Sequence, residues 1–125
     1  MVHFSPKDIS ERDNYKFMIG SIIPRPIALI TSVSEDEVLN IAPFSYFNIV
    51  TSNPPIVSVA LQRKNGELKD TARNILAKEQ AVIHVVDTNN VNEANETAAN
   101  MMADESELER TKFTTMPSTH VDIPS

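Results

Sequence analysis

Prolines divide the first half of this chain and limit the secondary structure that each segment can form. Pro24 and Pro26 flank Arg25. Because a proline lacks the amide hydrogen and disfavours helix in the residue before it, the chain must leave this point extended. The apolar run 27–33 that follows is rich in β-branched residues, a pattern typical of a well-buried strand. A buried β-strand is therefore predicted directly after the prolines.

Another proline interrupts the next apolar segment. Residues 38–50 have strand character, but Pro43 lies in their middle. Since proline cannot donate a ladder hydrogen bond, this strand must lie at a sheet edge, be bulged or be broken there. Backbone groups near Ala42, Phe44 and Ser45 then lack strand partners, and beside aromatic rings they could bind the rim of a planar heterocycle. An irregular edge strand with aromatic residues in the core is the alternative.

The remaining periodicity predicts two further strands and two or three helices. The strands are expected at 56–61 and 81–86, and the helices after the candidate N-caps Ser10, Asp70 and Asn90. The fold class is therefore a β-dominated α+β fold. Four strands are too few to close a barrel, so another subunit or further sequence would have to cover the exposed sheet edges.

The composition excludes several classes of function. A formal net charge of −6 argues against nucleic-acid binding, which depends on basic residues. The absence of cysteine excludes a disulfide framework, a thiolate nucleophile and Cys-ligated metal, and the three scattered histidines suggest no metal site. No secretory signal is evident, and the longest apolar stretch is too short to span a bilayer, so a cytoplasmic protein with no membrane partner is expected.

Five of the eleven basic residues lie within 63–78, and this segment is a candidate anion site. It places cationic side chains at the start of a predicted helix, where the first-turn N–H groups and the helix dipole favour an anion. Thr71 adds a hydroxyl donor in that turn. With only two glycines in the chain, a glycine-rich phosphate loop is excluded. A solvated helix face with i,i+4 ion pairs is the alternative.

Five segments carry these features in one order along the chain. They are Gly20–Ser32, Leu39–Phe47, Asn53–Pro55, Lys69–Asn74 and Asn95–Ala99. In this order and spacing they resemble the flavin reductase-like FMN-binding family, and in particular its flavoredoxin branch, which includes reductase components of two-component monooxygenases. The resemblance extends from about Asp13 to Glu109.

The resemblance implies a Greek-key split barrel that binds FMN non-covalently, usually at a homodimer interface. Family members continue beyond the point where this chain ends, with strands that close the barrel. Residues 1–125 are therefore expected to be the N-terminal part of one flavin reductase-like domain, C-terminally truncated and with an incomplete barrel. Within it, residues 1–20 are expected to form an arm and a helix, and residues 110–125 a poorly ordered tail.

The resemblance also implies positions for the cofactor. Thr31 and Ser32 should approach the flavin. The isoalloxazine should be lined by Asn40, Ala42, Pro43, Phe44 and Ser45, with backbone amides reaching its N5 and O4 side. The phosphate should be held by Arg63, Lys69, Thr71 and Asn74. Arg25 is a further candidate for the phosphate, or instead fixes the turn between its two prolines.

The implied reaction is hydride transfer from NADH or NADPH to the flavin, followed by electron delivery to a second acceptor. Free flavin, an iron centre or a partner oxygenase could be that acceptor. No side chain needs to act as a nucleophile, so no catalytic residue is assigned. Two alternatives remain: a flavin-binding or carrier module without turnover, and a truncated fragment that binds no flavin.

Overall fold

The computed structural model describes residues 1–98 and 111–125. The elements in this part of the chain are helices and antiparallel strands. In chain order they are α1 (Glu11–Ser21), β1 (Ala28–Val33), β2 (Leu39–Phe44), β3 (Phe47–Ser52), β4 (Pro55–Val59), α2 (Asp70–Lys78), β5 (Val82–Val85) and α3 (Val91–Glu96). They form a three-stranded sheet of order β2-β1-β5 and a two-stranded sheet of β3 and β4. The predicted β-rich α+β class is confirmed.

The central strand β1 is buried at every position. Side chains of a strand alternate between the two faces of its sheet, so burial along the whole strand requires a cover on both faces. On one face, Ala28 and Ile30 pack with Phe44 of β2 and with Ile75 of α2. On the other face, Leu29 packs in one cluster with Ile41 of β2 and Ala94 of α3. The buried strand predicted after the prolines is confirmed.

Pro43 lies near the end of β2, opposite Leu29 of β1. β2 is hydrogen-bonded to β1 and lies at an edge of the three-stranded sheet. It ends at Phe44, one residue after the proline, and β3 begins at Phe47. The edge position and the break agree with the prediction, and the segment 38–50 forms two strands rather than one.

The β3–β4 ribbon and α1 bury little apolar surface in this chain. Ile49 is 74% exposed and Val50 is 60% exposed, at a register shift between Ile49 and Thr51. α1 has no buried residue, although it contains Tyr15, Phe17 and Met18. A two-stranded ribbon is marginal by itself, because one strand pair excludes little water. We define the exposed apolar side chains of α1, β3 and β4 as the exposed apolar surface: Tyr15, Phe17, Met18, Ile49, Val50, Ile56 and Val57.

The helices begin close to the predicted residues, but α1 has the predicted side-chain cap and α2 does not. The backbone N–H of Asp13 donates to Ser10 Oγ at 3.1 Å, so the predicted cap of α1 is confirmed. The prediction that Asp70 caps α2 is wrong, because Lys69 is the N-cap and Asp70 is the first helical residue. The Asp70 carboxylate instead pairs with Arg73 in the next turn, which leaves the start of α2 without a side-chain cap.

Residues 111–125 contain no helix or strand but pack against the three-stranded sheet. Ile123 is 3% exposed, and the carbonyl oxygen of Pro124 accepts a hydrogen bond of 2.8 Å from Thr31 Oγ1. The backbone N–H of Asp122 donates to Gln80 Oε1 at 2.8 Å. Residues 111–125, which belong to the segment 110–125 expected to be a poorly ordered tail, therefore contact the sheet, and residue 110 lies outside the described part. Isolated apolar residues can fill gaps in a core without producing periodicity.

We expect Leu29→Ala to lower the free energy of unfolding by about 2–5 kcal/mol, since it removes a buried side chain and leaves a cavity in β1. Leu76→Ala is the matched control, because Leu76 is 70% exposed on α2 and should change stability by less than about 1 kcal/mol. Urea unfolding of the two variants measures both effects. Equal destabilisation by both substitutions would contradict the assignment of β1 as the core strand.

A second prediction concerns His84, whose Nε2 lies 3.5 Å from Thr31 Oγ1. Partial burial lowers the pKa of His84 below its usual value. The unfolded chain then binds a proton more readily than the folded chain, so stability should fall as pH decreases through about 6.5. His84→Gln should flatten this part of the curve of unfolding free energy against pH, and His120→Gln at an exposed position is the control. Unchanged pH dependence in His84→Gln would contradict the prediction.

Candidate functional site

A cavity of about 390 Å³ lies between β2 and the start of α2. Its floor comes from Asn40, Ala42 and Phe44, which share one face of β2 because they alternate along the strand. Pro43 also lines it. The opposite wall comes from the segment that leads into α2 and from the first helical turn. β2, which ends just after Pro43, and the start of α2 therefore share one cavity. They are 25 residues or more apart in sequence.

A tight turn lies at the rim of the cavity. Asn65 and Gly66 have positive φ values of 52° and 82°, the combination that a type I′ turn requires and that these residue types tolerate. Lys64 and Glu67 exchange two backbone hydrogen bonds of 2.9 Å across it. An Asn-Gly pair is typical of such a turn, so the sequence alone indicates it. The turn brings Lys64 and Glu67 into the lining of the cavity.

The start of α2 presents hydrogen-bond donors to the cavity. The first backbone hydrogen bond of the helix runs from Arg73 N–H to the Lys69 carbonyl, at 3.1 Å. The N–H groups of the first turn precede it, and no side chain caps them. Lys69, Asp70 and Thr71 all line the cavity. Uncapped first-turn N–H groups and the positive end of the helix dipole favour an anion at this position.

The charged side chains around the cavity differ in their partners. Arg73 is held by its own segment, through an ion pair with Asp70 and a 2.7 Å hydrogen bond to the Leu68 carbonyl. Lys69 forms no ion pair with any residue that the structure describes. Its ammonium nitrogen lies 5.4 Å from the centroid of the Phe44 ring. Lys69 is therefore a cation that an incoming anion can approach, positioned over an aromatic face.

Four buried polar residues join α2 to the sheet. Asn40 Nδ2 donates to Thr71 Oγ1 at 2.9 Å, and Asn74 Nδ2 donates to Ser32 Oγ at 3.2 Å. Ser32 lies opposite Asn40 in the β1–β2 register, so the two bonds lie side by side. All four side chains are at most 7% exposed. We define these residues as the buried polar cluster. Asn40 and Thr71 also line the cavity, whereas Ser32 and Asn74 do not.

Six of the twelve positions that the resemblance implied for the cofactor meet in the cavity. They are Asn40, Ala42, Pro43, Phe44, Lys69 and Thr71. Ser32 and Asn74 lie behind the cavity wall, in the buried polar cluster. Thr31 faces the opposite side of the sheet, where it contacts Pro124. The remaining three positions, Arg25, Ser45 and Arg63, line a separate groove of about 1010 Å³ beside α1.

Arg25 bonds mainly to the end of α1. Its Nη1 donates to the carbonyl oxygens of Ile19, at 2.6 Å, and Ile22. Its Nε lies 3.4 Å from Ser45 Oγ. These bonds satisfy carbonyl groups that the helix leaves unpaired at its C-terminus. Of the two roles considered for Arg25, fixing the turn between the prolines agrees with these contacts.

Some cavity residues were missed by the sequence analysis. These are Thr97 and Ala98, directly after α3, whereas Lys64, Glu67 and Asp70, which also line the cavity, belong to the predicted anion segment 63–78. The signal for Thr97 and Ala98 was present, because the segment 95–99 is one of the five ordered motifs, although residue 99 lies outside the described part. Pattern alone did not show that the end of α3 approaches β2. In the parts of the chain that the structure describes, no group of His, Asp or Glu side chains could hold a metal ion.

Comparison with known proteins adds an independent line of evidence. Residues 19–124 match the family described as Flavin reductase like domain. The YwrF protein of Bacillus subtilis is 43% identical over 124 residues, which are 99% of this chain and 60% of YwrF. Nitrilotriacetate monooxygenase component B from Bacillus cereus is 50% identical, with a TM-score of 0.97 over 100% of this chain and 62% of that protein. The chain thus spans about three fifths of the length of these relatives.

A more distant structure bears on the fold alone. A protein with a split barrel domain from Shewanella frigidimarina is 22% identical and has a TM-score of 0.78, over 100% of this chain and 63% of that protein. The two antiparallel sheets therefore have the arrangement found in a split barrel, as the sequence predicted. Among the described residues, no helix is long and apolar enough to cross a membrane.

Proposed function

Because this chain belongs to the flavin reductase-like domain family, we propose that it binds FMN in the cavity between β2 and α2 and serves electron transfer from NADH or NADPH through the flavin to a second acceptor. One observation carries the proposal: Phe44 of β2 lines the same cavity as Lys69 and Thr71 at the start of α2. A ligand with an aromatic ring system at one end and a phosphate at the other can use both walls.

The phosphate end of the ligand fits the start of α2. A phosphate has only acceptor oxygens near neutral pH, so it needs donors and positive charge. The first turn of α2 offers uncapped N–H groups, and Thr71 offers a hydroxyl. The exposed ammonium of Lys69 adds the charge. This set of donors replaces the glycine-rich loop that the chain lacks.

The ring end fits the floor of the cavity. Phe44 and Pro43 provide apolar surface on β2, and Ala42 is too small to obstruct a planar ring beside them. β2 pairs with β1 on one side, and in the described part of the chain no strand pairs with its outer edge. Backbone groups along that edge can bond to the polar rim of an isoalloxazine. When bound, the flavin supplies the hydride-accepting and electron-delivering chemistry, and the chain's residues bind and orient it.

Homodimer formation is part of the proposal. The exposed apolar surface on α1, β3 and β4 includes Ile49, Val50 and Val57, which are 45% to 74% exposed. Ile49 and Val57 are opposite each other in the β3–β4 register, and clustered exposed apolar side chains are typical of a protein interface. We propose that a second copy covers it.

A partner oxygenase is a further proposed acceptor of electrons, since the Bacillus cereus relative is component B of a monooxygenase.

We expect Lys69→Gln to weaken FMN binding about tenfold, equivalent to roughly 1.4 kcal/mol, because it removes a cation that lines the cavity and forms no ion pair with any described residue. Lys16→Gln is the matched control: Lys16 is exposed on α1 and pairs with Asp13, away from the cavity. Quenching of FMN fluorescence during titration with protein measures the affinity. Equal FMN affinities for the two variants would contradict the assignment of the phosphate end.

We expect NADPH or NADH, added without oxygen, to bleach the visible absorbance of FMN bound to the protein. Stopped-flow absorbance with each nucleotide measures the rate, and free FMN at the same concentration is the control. A rate no faster than that of free FMN would contradict turnover and favour the flavin-binding or carrier module. Failure of the protein to retain FMN would contradict the proposed function as a whole.

A further inference from the structure

We propose that Asn40 is a positioning residue, which fixes the Thr71 hydroxyl as a hydrogen-bond donor toward the phosphate of the ligand. This inference rests on the proposed function, because it concerns the phosphate end of the same cavity. It assigns Asn40 to that end, although the resemblance had implied a place beside the isoalloxazine. Asn40 acts through Thr71 rather than by contact with the flavin ring.

The geometry places the two side chains in direct contact at the cavity wall. Asn40 Nδ2 lies 2.9 Å from Thr71 Oγ1, with the amide as donor. Asn40 is 7% exposed and Thr71 is 1% exposed, so water competes little for this bond. Both residues nevertheless line the cavity, so their polar atoms lie next to the space that a ligand would fill.

The chemistry of a hydroxyl group determines which hydrogen bond Thr71 can still form with a ligand. A threonine hydroxyl has one hydrogen to donate and two lone pairs that accept. The Asn40 amide occupies a lone pair, which leaves the hydrogen for a different acceptor. Among the described residues, no protein group accepts a hydrogen bond from Thr71 Oγ1. A buried donor costs free energy when it has no partner, and a phosphate oxygen in the cavity would provide one.

The second bond of the buried polar cluster fixes the position of Thr71. Asn74 lies one helical turn after Thr71 and donates to Ser32 on β1, at 3.2 Å. The start of α2 is therefore tied to two neighbouring strands, through Asn40 on β2 and Ser32 on β1. Ser32 and Asn74 do not line the cavity. We assign to this second pair a purely structural role, which makes it a control within the same cluster.

The test is a double-mutant cycle with two ligands that differ by the phosphate. Affinities for FMN and for riboflavin, which lacks the phosphate, are measured by fluorescence quenching for the wild type, Asn40→Ala, Thr71→Val and the double variant. We expect each single variant to bind FMN about tenfold more weakly and riboflavin within about twofold of the wild type. The double variant should bind FMN about as weakly as either single variant, because both changes remove one donor.

Two further variants separate positioning from a merely structural effect. Asn40→Asp keeps the shape of the side chain, but its carboxylate only accepts and would take the Thr71 hydrogen. It should lose FMN affinity at least as strongly as Asn40→Ala, again with little change for riboflavin, and it replaces Asn40→Ala if that variant does not fold. Asn74→Ala should lower the midpoint of urea unfolding but leave the ratio of FMN to riboflavin affinity near the wild-type value.

The outcomes distinguish this inference from the proposed function. Equal losses of FMN and riboflavin affinity in the Asn40 variants would overturn the positioning role while the proposed function stands. Additive losses of FMN affinity in the double variant would overturn it as well, because the two residues would then act independently. A wild-type protein that binds neither ligand would overturn both the inference and the proposed function.

Discussion

Burial of β1 on both faces is the constraint on which the rest of this structure depends. Every residue of Ala28–Val33 is buried, so each face of the strand needs its own cover. α2 covers the face of Ile30, and α3 with the C-terminal segment covers the face of Leu29. β2 pairs with β1 along its whole length, so α2, which covers one face of β1, also lies against β2. The start of α2 contacts β2 through Asn40 and Thr71. The cavity is a consequence of that packing.

The start of α2 is joined to the sheet by buried polar side chains, and the proposed anion site accounts for their presence. Buried polar groups cost stability unless they are hydrogen-bonded, and apolar residues of similar volume would serve equally well for packing alone. In the described part of the chain, every fully buried side-chain nitrogen and oxygen has a partner. Directional bonds such as that between Asn40 and Thr71 fix orientation as well as distance. A site that must present a donor to an anion gains from that direction.

Particular residues show how far sequence reasoning reached. Pro43 indicated an edge or broken strand because proline lacks a donor, and that property does not depend on the rest of the fold. The resemblance implied that Ser32 approaches the flavin and that Asn74 holds its phosphate; in the structure their side chains hydrogen-bond to each other and do not line the cavity. Sequence spacing gives the face of a strand or helix, whereas it does not show whether a polar group on that face meets a ligand or another side chain. Thr97 was missed for the same reason.

The sequence by itself determined the buried strand, the break at Pro43, the turn at Asn65–Gly66 and the family, because each follows from local backbone chemistry or from ordered motifs. Only the tertiary structure decided which implied residues share a cavity. It brought Phe44 and Lys69 together, and it directed Arg25 to the end of α1. The physical reason is that contacts between distant segments depend on how sheet and helix pack, and packing is a property of the whole chain.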